Sequence, residues 1–182
     1  MRFIGKTSTV VAVGALILVS LTSCSTPRPE DGKMGLIRGA DGRPVLLVGW
    51  CTHPPQLVVV YHRDHSLFGG DHKLATFRVT KGLSNPFELH MDGSTPGWTL
   101  TPVGGSTFDP STVVNGTNFR GERIDDRYVT TEVGAEESEF KKLPLGVVLV
   151  QDYNPQADNY TDMTMSITSF PGFVRRSCKA GH

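Results

Sequence analysis

The sequence is short of the material from which several common classes of protein are built. Its longest apolar run, Val10 to Val19, holds ten residues, whereas a helix crossing a ~30 Å hydrocarbon core needs ~20. Cysteine occurs three times and never as C-x-x-C, which argues against dithiol redox chemistry and zinc-finger spacing. Charge of one sign is not in excess, with 18 Lys and Arg against 18 Asp and Glu. No basic stripe interrupts that balance, so nucleic acid is not expected as a partner. G-x-S-x-G, H-E-x-x-H and glycine-rich nucleotide loops are all missing, so no family of hydrolases, metalloproteases or kinases declares itself. There is no internal repeat, and no twelve-residue window carries a 3.6-residue apolar period. Long amphipathic helices are therefore not expected.

What is present begins with the first 24 residues. Arg2 and Lys6 stand ahead of the apolar run, and the first acidic residue is Glu30. A cationic head, a short apolar middle and small residues near a break are the parts of a secretory signal peptide. The run is followed by Leu21-Thr22-Ser23-Cys24, which resembles the lipobox of bacterial lipoproteins. There an aliphatic residue and two small ones precede an obligatory cysteine, whose thiol takes a diacylglyceryl group as a thioether. The resemblance implies cleavage between Ser23 and Cys24 and a lipidated, palmitate-bearing Cys24. It further implies a protein held by its lipid at the extracytoplasmic face of the cell membrane, or at the outer membrane if the source is Gram-negative. A second acyl chain makes such anchoring effectively permanent, since each buried CH₂ contributes ~0.8 kcal/mol. The organisation expected is a signal peptide over 1–23, a lipidated N-terminus and flexible tether over 24–35, and one β domain over 36–182. Once Arg2 and Lys6 are removed with the leader, 16 basic residues face 18 acidic ones, a net charge of −2.

If lipid claims Cys24, Cys51 and Cys178 remain, an even pair in an oxidising compartment. They are expected to form a disulfide, tying the last segment to an early strand, the alternative being two buried free thiols. Trp50 is expected to pack on that bridge.

The body of the chain reads as strands. "RPVLLVGWC", "QLVVVYH", "KLATFRVTK", "PFELHM", "WTLTPV", "RYVTTEV", "GVVLVQDY" and "MTMSITSF" are short and rich in β-branched and aromatic residues. Asp41-Gly42, Gly69-Gly70, Asp92-Gly93 and Asn115-Gly116 supply the turn chemistry between them. The runs 45–48, 57–60 and 147–150 are apolar throughout, as in strands covered on both faces. By alternation Met91, Met163 and Met165 belong to the core. Only 134–142 leans towards helix. These features predict an all-β fold of about eight strands, an antiparallel β-sandwich or alternatively a small β-barrel.

One polar stretch, "YHRDHSLFGGDH", gathers His62, Asp64, His65 and His72 as candidate ligands for a divalent metal. Its bland reading is a solvated hairpin, and no cofactor is expected. Three functions fit these residues. The first is a noncatalytic binding or accessory module of the cell envelope, with a protein or wall partner. The others are an extracytoplasmic metal-binding protein using the His62–His72 loop, and an envelope hydrolase whose catalytic residues no motif reveals.

Overall fold

In the computed structural model, residues 29–63, 71–82, 84–104, 109, 117–125, 127–154, 156 and 159–180 are described. Strands β1 (Gly32–Arg38), β2 (Pro44–Trp50), β3 (Leu57–Arg63), β4 (Asp71–Val79) and β5 (Phe87–His90) are followed by β6 (Trp98–Pro102) and β7 (Thr117–Glu122). Then come β8 (Val133–Gly134), the short helix α1 (Glu137–Lys142), β9 (Val147–Asn154) and β10 (Asn159–Ser166). A 3₁₀ turn at Ile167–Ser169 leads into the helix α2 (Phe170–Ala180). The strands form two antiparallel five-stranded sheets, ordered β10-β9-β1-β2-β5 and β6-β4-β3-β7-β8. The all-β sandwich is thus the fold, with ten strands among the described residues rather than eight.

Strand alternation accounts for the packing. Met34 and Leu36 of β1, Leu46 and Val48 of β2, and Leu149 of β9 point at the opposing sheet. They meet Val58, Val60, Ala75, Phe77 and Phe119 there, and together these form the main core. The intervening residues Val45, Leu47, Val148 and Val150 face outwards into a second cluster with Phe170, Phe173 and Val174 of α2. This explains why β2 and β9 are apolar throughout: one face packs on a sheet and the other on a helix. Each fully buried side chain of this size is worth ~1.5–3 kcal/mol.

Helix α2 approaches the sheet closely because β1 and β2 present glycines beneath it. A Cβ at Gly35 would sit 2.4 Å from Val148 Cγ1 and 3.2 Å from Phe170, and one at Gly49 would lie 2.7 Å from Val174 Cγ2. The cystine Cys51–Cys178, with Cα atoms 5.4 Å apart, fastens the end of α2 to the residue following β2. It therefore holds a helix to the outside of one sheet and does not join the two sheets. Trp50 turns away into the main core, its ring 5.8 Å from Phe87.

Other expectations change with the structure. Residues 32–35, assigned to the tether, are the first half of β1, and Lys33 and Met34 are buried. "RYVTTEV" yields only isolated pairings at Val129 and the two-residue β8. "MTMSITSF" stops being a strand at Ser166. Met163 is 43% exposed, because β10 lies at the sheet edge, whereas Met91 is buried and Met165 packs under α2. The turns at Asp41-Gly42 and Asp92-Gly93 hold, with φ of 84° at Gly42 and 78° at Gly93. Gly69-Gly70 and Asn115-Gly116 lie outside the described residues. Among the described residues no helix is long and apolar enough to cross a membrane.

Candidate binding cleft at the root of the domain

The polar chemistry concentrates where the chain enters the fold. β1 pairs with β9 only over Gly35–Ile37, opposite Val148–Val150. Nearer its start, β1 takes a different neighbour, the segment 129–131. Asp31 N donates to Val129 O at 2.8 Å, Val129 N to Pro29 O at 3.3 Å and Thr131 N to Gly32 O at 3.1 Å. Val129 bridges to Glu30 in parallel and to Glu122 of β7 in antiparallel, so this segment joins the two sheets along one side. β9 meanwhile continues to Asn154 paired with β10.

Between these diverging elements lies a cleft of about 620 Å³. Glu30, Arg120, Val129, Thr130 and Glu132 line one part of it, and Gln151, Asn159 and Tyr160 another. Its charged groups are held in place by one another. Arg120 donates from Nε (2.9 Å) and Nη2 (2.7 Å) to Glu122 Oε1, and from Nη1 to Glu132 Oε1 at 2.7 Å. Its guanidinium also lies 5.1 Å from the Tyr61 ring centroid. Partial burial works against the Arg120 charge, but the hydrogen bonds and negative field of Glu122, with Tyr61 and Glu132, raise its pKa above the ordinary arginine value. The side chain is a fixed cation. Opposite it, the Tyr160 hydroxyl donates to Glu30 Oε1 at 2.5 Å while the residue stays 51% exposed. Glu30 Oε2 receives Lys33 Nζ at 3.4 Å, and that ammonium also meets Asp152 Oδ1 at 2.9 Å. Lys33 is buried, which these two carboxylates and the Phe173 ring 5.9 Å away make tolerable.

Beside the cleft, Asp31 forms a second hub. Its carboxylate is buried and accepts from Thr52 N (3.0 Å), His53 N (2.6 Å) and His53 Nδ1 (2.7 Å). The His53 ring stacks on Tyr128 at 4.2 Å with planes 12° apart. An acid oriented on a histidine supplies two of the three members of a catalytic triad, but among the described residues no hydroxyl or thiol hydrogen-bonds the other ring nitrogen of His53, and the carboxylate fixes the 51–53 turn through two backbone donors. Its geometry is that of a structural clamp.

The residues expected to carry function fall into three groups. Ser23 and Cys24 lie outside the described residues, as do Asp64 and His65. Cys51 and Cys178 are joined. His62 and His72 face each other across the β3–β4 pair, just past a bulge at Val60/Tyr61, and both are exposed. Among the described residues no group of three His, Cys, Asp or Glu side chains is arranged to hold a metal ion.

Sequence reading missed the cleft itself. Glu30 and Asp31 follow two prolines and look like tether, and Arg120 and Tyr160 carry no motif. The one available signal was Arg120 and Glu122 at i and i+2, which puts them on one face of any strand. Comparison with protein-family models, with curated proteins and with solved structures found no match for this chain.

Proposed function

We propose that the protein is a bacterial cell-envelope lipoprotein anchored through Cys24, and that its β domain is a noncatalytic binding module whose ligand occupies the cleft at the domain root. The observation that carries this reading is the place of Glu30, which lines the cleft while lying six positions after Cys24. Six extended residues reach at most ~20 Å. A lipid on Cys24 would therefore hold the cleft close to the bilayer surface, where envelope components are concentrated. The cleft volume also lies in the ~300–1,000 Å³ range usual for small-ligand sites. The test uses cells producing the full chain with a photo-crosslinking residue at Asn159, on the cleft wall, or at Asp41, in the exposed β1–β2 turn at the other end of β1. Saturable adducts with envelope material are expected from position 159 alone. Equal labelling from both positions would contradict the assignment.

One observation favours the metal-binding alternative, the cross-strand placement of His62 and His72. Structural zinc takes four ligands, and a site with a hundredfold metal excess over its dissociation constant would stabilise the fold by ~2.7 kcal/mol. The expected melting temperature is the same with and without Zn²⁺. A rise of several degrees that disappears in His62→Ala would replace the binding-module reading.

A further inference from the structure

Building on that reading of the cleft, we infer that its ligand is a glycan, a hydroxyl-rich oligosaccharide that is neutral or bears amino groups, and not an anion. The lining supports this through three features. First, its charges are Glu30 and Glu132 against Arg120, a net negative balance that disfavours phosphorylated or carboxylated ligands. Second, donors and acceptors are interleaved: two carboxylates and a guanidinium share the walls with the carboxamides of Gln151 and Asn159. A bare cation needs only acceptors. A sugar hydroxyl both donates and accepts, and a mixed lining satisfies it in both roles. Third, Tyr160 presents a half-exposed ring whose orientation is fixed by its hydroxyl's bond to Glu30. An aromatic face held rigid beside hydrogen-bonding groups offers an apolar platform for the C–H face of a pyranose ring at little cost in side-chain entropy.

These features are rigid before any ligand arrives. Arg120 is clamped between Glu122 and Glu132, and Gln151 Nε2 donates to Asp162 at 2.9 Å. Their preorganisation lowers the ordering penalty that otherwise weakens sugar binding. The short reach from Cys24 further selects glycans lying near the anchoring leaflet, since the cleft cannot travel outwards by more than the ~20 Å of the linking residues.

The test is nuclear magnetic resonance of the full processed protein in lipid nanodiscs, following the side-chain amides of Gln151 and Asn159. The probes are tetrasaccharides of β-1,4-linked N-acetylglucosamine, glucose and mannose, with spermidine and tetralysine as cationic comparators. At least one oligosaccharide is expected to shift both amides saturably. Tyr160→Ala should weaken that binding about tenfold or more, as truncating an aromatic anchor does. Tyr160→Phe, which keeps the ring and loses the bond to Glu30 that orients it, should fall between the wild type and Tyr160→Ala. Saturable shifts from a cationic comparator with none from any sugar would overturn the glycan assignment and leave the binding-module reading standing. Silence from every probe together with no selective crosslinking from position 159 would overturn both. A sugar effect that Tyr160→Ala leaves unchanged would remove the glycan from this cleft.

Discussion

Asp31→Ala separates a structural root from a tether more sharply than any other single substitution. A residue in a flexible linker can be truncated at almost no cost, and exposed substitutions usually fall within about ±0.5 kcal/mol. The Asp31 carboxylate is instead buried, and it accepts from Thr52 N at 3.0 Å, His53 N at 2.6 Å and His53 Nδ1 at 2.7 Å. Hydrogen bonds to a charged group are worth ~1.5–3 kcal/mol each, although three bonds to one carboxylate do not add. Their loss also leaves donors in the 51–53 turn without their acceptor, so ~3–5 kcal/mol is the expected total. For a domain of this size that is a fall in melting temperature of about 10 °C. Asp31→Asn, which keeps one acceptor oxygen, should lose less. Urea unfolding with the disulfide intact measures both variants. A change below ~0.5 kcal/mol for Asp31→Ala would refute the clamp and return this residue to the tether.

Two further outcomes follow from the geometry. Replacing Cys178 with serine opens a loop spanning 127 residues and should cost ~2–5 kcal/mol, with early loss of amide protection in α2; recovery of Cys51 and Cys178 as alkylatable thiols in native, unreduced protein would remove the premise. Hydrogen bonds from Arg127, with help from Arg123, hold the Asp125 carboxyl down to about 2, below the ordinary aspartate value of 3.8. Because the folded value is the lower one, the contribution is complete above 3.8 and is lost as the pH falls through about 2. A carboxyl titration by nuclear magnetic resonance should show that midpoint, moved upwards in Arg127→Ala, whereas an unmoved midpoint would dismiss the pair.

The sandwich was legible because its central strands write their environment plainly. Runs such as 45–48 and 147–150 are apolar on both faces, and hairpin turns such as Asp41-Gly42 separate strands of ordinary length. What escaped notice was built from residues whose local preferences point elsewhere. β1 carries Gly32, Lys33 and Gly35, poor strand formers in isolation. Gly35 is required because a Cβ there would run into Val148 of β9 and crowd Phe170, and Lys33 is tolerated because Asp152 and Glu30 neutralise it. α2 carries Pro171 and Gly172 in its first turn, and its eleven residues are too few to establish a period. Its apolar positions Phe170, Phe173, Val174 and Cys178 nonetheless share one face, and Pro is harmless in a first turn. The cleft was illegible for a related reason. Glu30, Arg120, Glu132 and Tyr160 come from four separate segments, brought together by the bridges of Val129 to Glu30 and Glu122 and by the pairing of β10 with β9.

The proposed function turns on the chemistry of Cys24, because a lipid there would determine what the cleft can reach. The direct measurement is mass spectrometry of the N-terminal peptide from protein extracted from membranes, digested to the fragment ending at Lys33. The expected result is a peptide beginning at Cys24 and carrying a diacylglyceryl thioether. A mature N-terminus elsewhere, or an unmodified Cys24 thiol, would contradict it.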